Sequence, residues 1–154
     1  MKINIYSIQK KSNDSYDKLV DEFIKMSKKY ADVKDIQIFN NTISKAQSSN
    51  NENEAKQSYS LAYEPYLKNG YNIALDVLGK SLDSFELAKV LSNHTSYNFF
   101  IGGAYGFEQE FLKKCDATIS LSNLTMAHKI AHIVLFEQIF RSLCINNNHP
   151  YHKN

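Results

Sequence analysis

Glycines cluster in one short stretch of the last third of the chain. Gly102, Gly103 and Gly106 are three of only five glycines, and they follow an apolar run that ends at Ile101. Glycine has no Cβ, so its backbone reaches positive φ and allows a ligand to approach closely. A cluster directly after a strand therefore indicates a tight turn or a ligand site that is lined by backbone.

A dinucleotide cofactor is the first ligand to consider for this cluster. The G-x-G-x-x-G fingerprint would require glycine where Ile101 stands, and only its final G-x-x-G part is present. The cluster also lies late in the chain, whereas the fingerprint usually opens a βαβ unit. The sequence therefore disfavours a dinucleotide site of this type.

Histidines are the main candidates for metal binding or proton transfer. His128 and His132 are spaced i, i+4, so they share a helix face, and His149 and His152 form H-x-x-H near the end of the chain. Zinc accepts such ligands, but the helical pair lacks the glutamate of a metalloprotease motif. We therefore predict no metal site, and hydrogen-bonded or RNA-facing histidines instead.

Arginine occurs once, as Arg141, beside seventeen lysines. A planar guanidinium binds a phosphate or a carboxylate through two parallel bonds, which an ammonium group cannot do. The alternative is an ion pair with Glu137, four residues earlier on the same predicted helix. Both interpretations stay open, because one does not exclude the other.

Nucleophilic catalysis has no support in the sequence. Cys115 and Cys144 form no C-x-x-C pair and lie in no activating context, and there is no G-x-S-x-G elbow. Paired carboxylates at a useful spacing are also absent. The lack of a disulfide framework agrees with a reducing compartment.

Hydrophobic periodicity predicts strands and helices that alternate along the chain. Strands are predicted at residues 1–6, 35–39, 72–77 and 117–121, and in the run that ends at Ile101. Helices are predicted at residues 16–30, from residue 54 with an interruption at Pro65, from a capping box of Asp83 and Glu86 to residue 92, and at residues 107–114 and 128–144. This order indicates an α/β fold with a mainly parallel sheet.

Two segments carry further expectations. Residues 40–53 are almost entirely polar, so we predict a mobile loop there. The helix at residues 128–144 is apolar around much of its circumference, which requires more than the one surface that a sheet supplies. A homodimer would supply the other surface, and we expect glutamate at Ile133 or at Phe136 to give monomers or insoluble protein.

Composition indicates a single globular domain, residues 1–154. Hydrophobic residues make up 43% and charged residues 22% of the chain, as in soluble proteins. No apolar run approaches the ~18 residues that span a membrane, and the first residues lack the core of a signal peptide, so we expect a cytoplasmic protein. The net charge of +2 neither indicates nor excludes binding to nucleic acid.

Four motifs occur in order along the chain: Ile101-Gly102-Gly103, then Leu121-Ser122-x-Leu124-Thr125 followed by His128, then Glu137-x-x-x-Arg141, and finally Tyr151-His152. By these motifs, and over essentially its full length, the chain resembles the RlmH family of SPOUT-class methyltransferases. That family methylates N3 of a pseudouridine in large-subunit ribosomal RNA. The resemblance implies S-adenosylmethionine as cofactor, a trefoil knot in the C-terminal half and an obligate homodimer.

The resemblance also implies roles for particular residues. Cofactor contacts fall on Leu75, Gly102, Leu121, Ser122, Asn123, Leu124, Thr125 and Met126. Substrate positioning or proton transfer falls on His128, Arg141, Tyr151 and His152. The C-terminal tail, residues 146–154, is expected to reach across the dimer to the partner's cofactor. The expected substrate is large-subunit ribosomal RNA within the ribosome.

Departures from the family pattern keep a second hypothesis open. The family usually has proline or serine, and then an acidic residue or asparagine, where this chain has Ala104 and Tyr105. Ala127 and His132 replace a common proline and a common arginine. The alternative to an enzyme is therefore a knotted RNA- or ribosome-binding module that has lost catalysis. Binding of S-adenosylmethionine separates the two hypotheses, because such a module has no need of the cofactor.

Overall fold

The computed structural model describes residues 1–153, which form a five-stranded sheet flanked by helices. The strands are β1 (Lys2–Ile8), β2 (Asp32–Ile38), β3 (Tyr71–Ser81), β4 (Ser96–Ile101) and β5 (Ala117–Ser120). All pair in parallel, in the order β2-β1-β4-β3-β5. The predicted α/β fold is therefore confirmed, with a wholly parallel sheet, while the trefoil knot stays a prediction.

Six α-helices alternate with these strands in the described part of the chain. They are α1 (Ser15–Ser27), α2 (Asn41–Ser48), α3 (Glu52–Tyr63), α4 (Ser84–Val90), α5 (Gln109–Lys114) and α6 (His128–Asn146). A 3₁₀ turn, Glu64–Lys68, joins α3 to β3. No helix within residues 1–153 is long and apolar enough to cross a membrane.

Each face of the sheet has its own apolar core. Alternate residues of a strand point to opposite faces, so Ile5 and Phe99 join one core while Tyr6 and Phe100 join the other. The first core holds buried residues of α1, α4 and α6, which include Val20, Leu87, Leu135, Phe136, Ile139 and Leu143. The second core holds buried residues of α2, α3 and α5, which include Ile43, Ala55, Tyr59, Tyr63 and Phe111.

The ends of two helices are determined by residues that can be recognised in the sequence, a capping box and a proline. In α4 the carboxylate of Asp83 accepts from the backbone N–H of Glu86 at 2.8 Å, and the carboxylate of Glu86 accepts from the backbone N–H of Asp83 at 2.8 Å. The predicted capping box is therefore confirmed. Pro65 also acts as predicted, because α3 ends at Tyr63 and the chain continues as the 3₁₀ turn.

The prediction of a mobile loop at residues 40–53 is wrong, because α2 and the start of α3 occupy this segment. The side chain of Asn40 caps α2 by accepting a bond from the backbone N–H of Ile43 at 2.9 Å. Ile43, the one large apolar residue of the segment, is fully buried in the second core. A cap and a single buried side chain are enough to hold a short helix whose composition is otherwise typical of a loop.

Besides the sheet, other helices of the same chain pack against α6. It lies against the sheet, and both α1 and α4 contact it. Phe136 is 1% exposed in the first core, and Ile133 packs against that core. A glutamate at Phe136 would therefore disrupt the monomer itself, so insoluble protein is the expected outcome of that change. The apolar circumference of α6 does not by itself require a second copy.

Candidate active site

A cavity lies at the carboxyl edge of the sheet, next to the ends of β4 and β5. It has a volume of 390 Å³ and is lined mainly by apolar side chains and glycine backbone. The lining residues that the family resemblance assigns to the cofactor are Leu75, Gly102, Leu121, Ser122, Leu124, Thr125 and Met126. His128 also lines the cavity, whereas Asn123 does not.

The strand β3 is irregular where it borders the cavity. Its pairing with β5 changes register after Leu75, so the next residues leave the regular ladder. Asp76 and Val77, from this bulge, line the cavity. A Cβ on Gly79 would lie 2.7 Å from the backbone carbonyl carbon of Ile119, so glycine is required for this close approach. The bulge explains why β3 continues beyond its predicted end at residue 77.

The glycine loop, residues 102–106, forms a tight turn after β4. The backbone N–H of Gly106 donates to the carbonyl of Gly103 at 3.0 Å, and Gly106 has a φ of +81°, which glycine adopts readily. Ala104 and Tyr105 occupy the tip of the turn. Neither has positive φ, so this turn closes without strain at the two positions that depart from the family pattern.

The second loop, residues 121–126, is held by hydrogen bonds of two serines. Ser120 Oγ donates to the carbonyl of Ser122 at 2.9 Å. Ser122 Oγ accepts from the backbone N–H of Leu124 at 3.0 Å. The Leu124 residue is 75% exposed although it lines the cavity, so its side chain is available to cover a bound ligand.

His128 brings an imidazole to the cavity at the first residue of α6. Its Nε2 atom is buried and has no hydrogen-bond partner within residues 1–153. Burial lowers the pKa of His128, and the proximity of His132 and Lys129 lowers it further. The neutral imidazole therefore predominates near pH 7, and one buried nitrogen is available to a polar group of a ligand.

We expect the pKa of His128 in the folded protein to lie below its ordinary value of 6.5. The unfolded chain then binds this proton more readily than the folded chain, so the free energy of unfolding decreases as the pH falls below 6.5. NMR titration of the imidazole resonances measures the pKa, and His128→Asn identifies the signal. A midpoint at or above 6.5 would contradict the burial argument.

Arg141, Tyr151 and His152 form a second cluster, near the C-terminal end of α6. Nη2 and Nε of Arg141 donate to Oε1 of Glu137 at 2.5 and 3.0 Å, so the predicted ion pair is confirmed. The Tyr151 hydroxyl donates to the same oxygen at 3.0 Å, and the guanidinium lies 4.7 Å from the centroid of the Tyr151 ring. Nη1 of Arg141 lies 3.2 Å from Nδ1 of His152, within donating distance.

The tail therefore folds back onto α6 of its own chain. The ring of Tyr151 also meets that of Phe140 edge-on, with centroids 4.8 Å apart. None of Arg141, Tyr151 and His152 lines the cavity. Arg141 follows His128 by thirteen residues, about 20 Å along the helix axis. Within one chain, the cavity residues and the cluster of Arg141, Tyr151 and His152 are therefore far apart, although the family resemblance places both groups in one site.

Some cavity residues were not predicted as part of the site. These are Asp76, Val77, Ile101, Ala104, Phe107 and Ala131, whereas Gly103 and Gly106, which also line the cavity, belong to the glycine cluster that indicated a ligand site. Those of the glycine loop and its flanks adjoin a predicted contact, so the motif itself could have indicated them. Ala131 follows His128 by nearly one helical turn, a signal that was available once the helix start was known.

The described residues include neither a set of side chains placed to bind a metal ion nor an activated cysteine. Within residues 1–153 no group of three or more His, Cys, Asp or Glu residues is placed to hold a metal ion. His132 is buried, and its Nε2 lies 2.9 Å from Oδ1 of Asp35. Burial raises the pKa of the Cys115 thiol to about 12, which disfavours the reactive thiolate.

Similarity to known proteins extends over the whole fold. A family model described as predicted SPOUT methyltransferase matches residues 1–152. The chain is 61% identical to ribosomal RNA large subunit methyltransferase H of Aliarcobacter butzleri, 56% to that of Campylobacter fetus and 52% to that of Campylobacter concisus. Each alignment covers 99% of this chain and 100% of the relative. The chain therefore belongs to the SPOUT methyltransferase family.

Proposed function

We propose that this protein transfers a methyl group from S-adenosylmethionine to N3 of a pseudouridine in 23S ribosomal RNA of the large subunit. The relatives bear the name of a large-subunit ribosomal RNA methyltransferase. The family makes the reaction a methyl transfer. The observation that carries the proposal is the cavity, which gathers seven of the eight residues that the family resemblance assigns to the cofactor.

The cavity suits S-adenosylmethionine in size and in chemistry. Its volume of 390 Å³ is within the range of small-molecule sites. Leu75, Leu121 and Met126 provide apolar walls for an adenine ring. The carboxylate of Asp76 provides a polar group that would fix the orientation of the ligand.

The residues of the two clusters have complementary tasks in this proposal. S-adenosylmethionine supplies a methyl group on a sulfonium sulfur, and N3 of the base must lose a proton when it is methylated. The neutral imidazole of His128 can accept that proton, and His152 is the alternative acceptor. Arg141 would meet a phosphate, and Tyr151 would stack on a base of the RNA.

A homodimer would bring the two clusters together. Within one chain Arg141, against which Tyr151 of the tail packs, lies about 20 Å from His128 along α6, so a second copy is needed to place a tail beside each cavity. Exposed apolar side chains on α1 and α6 support an interface there. Tyr16 and Leu19 are 39% and 51% exposed, and Ile130 is 42% exposed.

Leu19→Glu and Ile130→Glu are expected to give folded monomers, because a charge on this surface opposes its burial in an interface. Light scattering measures the mass, and circular dichroism measures the fold. Leu61→Glu is the matched control and should remain dimeric, since Leu61 is a leucine of α3 that is 70% exposed. A wild-type protein that is monomeric at micromolar concentration would contradict the dimer.

Methyl transfer is tested with labelled S-adenosylmethionine on RNA from a strain that lacks the gene. We expect label at one pseudouridine of the large subunit in whole ribosomes. Much less label is expected in free RNA, because a net charge of +2 gives little attraction to phosphates. An enzyme of this kind works where ribosomes are, so we place it in the cytoplasm.

The alternative hypothesis, an inactive RNA- or ribosome-binding module, predicts different results in the same experiments. Its basis is the turn at Ala104 and Tyr105, where the family pattern is not kept. A protein that binds ribosomes, yet takes up no S-adenosylmethionine in calorimetry and transfers no methyl group, would be this module.

A further inference from the structure

Residues outside the cavity hold the start of the glycine loop. Tyr63 of α3 is fully buried, and its hydroxyl donates to the carbonyl of Ile101 at 2.6 Å. The carbonyl oxygen of Tyr6 lies 3.2 Å from the same hydroxyl. The pairing of β1 with β4 ends at Tyr6 and Phe100, so these carbonyls lie where the ladder stops. A buried carbonyl at such a place needs a donor from elsewhere, and Tyr63 provides it for Ile101.

This hydrogen bond fixes the direction in which the chain leaves β4. The peptide group is planar, so holding the carbonyl of Ile101 also holds the nitrogen of Gly102. Burial raises the pKa of Tyr63 well above its ordinary value of 10.0. The hydroxyl therefore keeps its proton, and remains a donor, at every pH at which the protein would be assayed.

Tyr59, one turn earlier on α3, supports the next residue of the loop. A Cβ on Gly103 would lie only 2.3 Å from Cζ of Tyr59, so the ring occupies the space of a side chain at Gly103. The Tyr59 hydroxyl donates to Oε1 of Gln47 in α2 at 2.5 Å. Gly103 is thus required by the packing of the protein against itself, and α2 helps to fix the ring that packs there.

We propose that Tyr59 and Tyr63 are positioning residues for the glycine loop and thereby determine its affinity for the cofactor. Tyr63 orients the peptide between Ile101 and Gly102, and Tyr59 determines the position of Gly103. Neither tyrosine lines the cavity, so both act through the loop. The inference rests on the proposed cofactor site, and it assigns a role to the polar segment that carries α2.

Tyr63→Phe tests the first contact, because it removes one hydroxyl and keeps the ring. We expect the Kd for S-adenosylmethionine to rise about tenfold, measured by calorimetry at a temperature where circular dichroism shows a folded protein. Tyr97→Phe is the matched control. Tyr97 is also fully buried, and its hydroxyl donates to the carbonyl of Val90 at 2.6 Å, but it lies at the amino end of β4. It should lose thermal stability without a change in Kd.

The outcomes separate this inference from the proposed function. Wild-type protein that does not bind S-adenosylmethionine would overturn both. Wild-type protein that binds it, with an unchanged Kd in Tyr63→Phe, would overturn the inference alone. An equal loss of affinity in Tyr63→Phe and Tyr97→Phe would reveal a general effect of stability, and it would also overturn the inference.

A double-mutant cycle tests the second contact and does not depend on Tyr63→Phe. Gly103→Ala places a methyl group against the Tyr59 ring, and Tyr59→Ala removes the support beneath the loop, so each should weaken cofactor binding. The loss of binding free energy in the double variant should be smaller than the sum of the two single losses. Without the Tyr59 ring, the methyl group of Ala at position 103 has space. Strictly additive losses would show that the ring does not support Gly103 directly.

Discussion

Gly102→Val is expected to weaken binding of S-adenosylmethionine by at least about a hundredfold, or ~3 kcal/mol, in a chain that remains folded. A Cβ on Gly102 would lie 3.2 Å from Cα of Gly106 and 3.3 Å from Cε2 of Phe107. All three residues line the cavity. The two further methyl groups of valine find no space in this wall, so they must enter the cavity or displace the loop. Calorimetry measures the loss.

Gly102→Ala is the graded control for this experiment. Its single methyl group requires Gly106 and Phe107 to move by only a few tenths of an ångström, so we expect a smaller loss of affinity. Circular dichroism and light scattering on both variants check that the fold and the mass are unchanged. Wild-type affinity in Gly102→Val would remove Gly102 from the cofactor site.

The glycine loop illustrates how far the sequence alone can lead. The cluster predicted a site after β4, and a cavity is found there. The sequence alone could not show why each position requires glycine. Gly106 needs its positive φ, whereas Gly103 accommodates Tyr59, a residue more than forty positions away. A contact between such distant residues depends on the fold, and no local pattern displays it.

Local signals were sufficient where local physics decides the structure. The capping box of Asp83 and Glu86 and the break at Pro65 act within one helical turn, and both were predicted correctly. The failures concern burial. The single apolar side chain of Ile43 holds α2, and the partners of α6 include α1 and α4. Burial against distant elements overrides local composition, so these features required the structure.

Deletion of residues 148–154 is expected to lower the rate of methyl transfer by more than about a hundredfold while cofactor binding is kept. Among residues 146–153 no tail residue lines the cavity of its own chain, and we assign the tail to the substrate, so the affinity for S-adenosylmethionine should not change. The deletion removes Tyr151 and His152, which we assign to the substrate. Calorimetry and single-turnover transfer to ribosomes measure the two quantities separately.

Tyr151→Phe is the matched control for the deletion. It keeps the aromatic ring that packs on Phe140 and under Arg141, and it removes only the hydroxyl that donates to Glu137. If the tail acts by stacking on a base, this variant should retain most of the activity. A loss as large as that of the deletion would instead assign the effect to the hydroxyl.

Mixed dimers decide which cavity the tail serves. One subunit carries the deletion of residues 148–154, and the other carries Gly102→Val, so each homodimer lacks either tails or cofactor binding. If the tail acts across the interface, the mixed dimer regains one complete site: the intact cavity of the first subunit with the intact tail of the second. About half of the wild-type activity per dimer is then expected.

A tail that served its own cavity would leave the mixed dimer inactive, since the intact cavity and the intact tail belong to different chains. Full activity in the tail-deleted homodimer would exclude any role of the tail in the reaction.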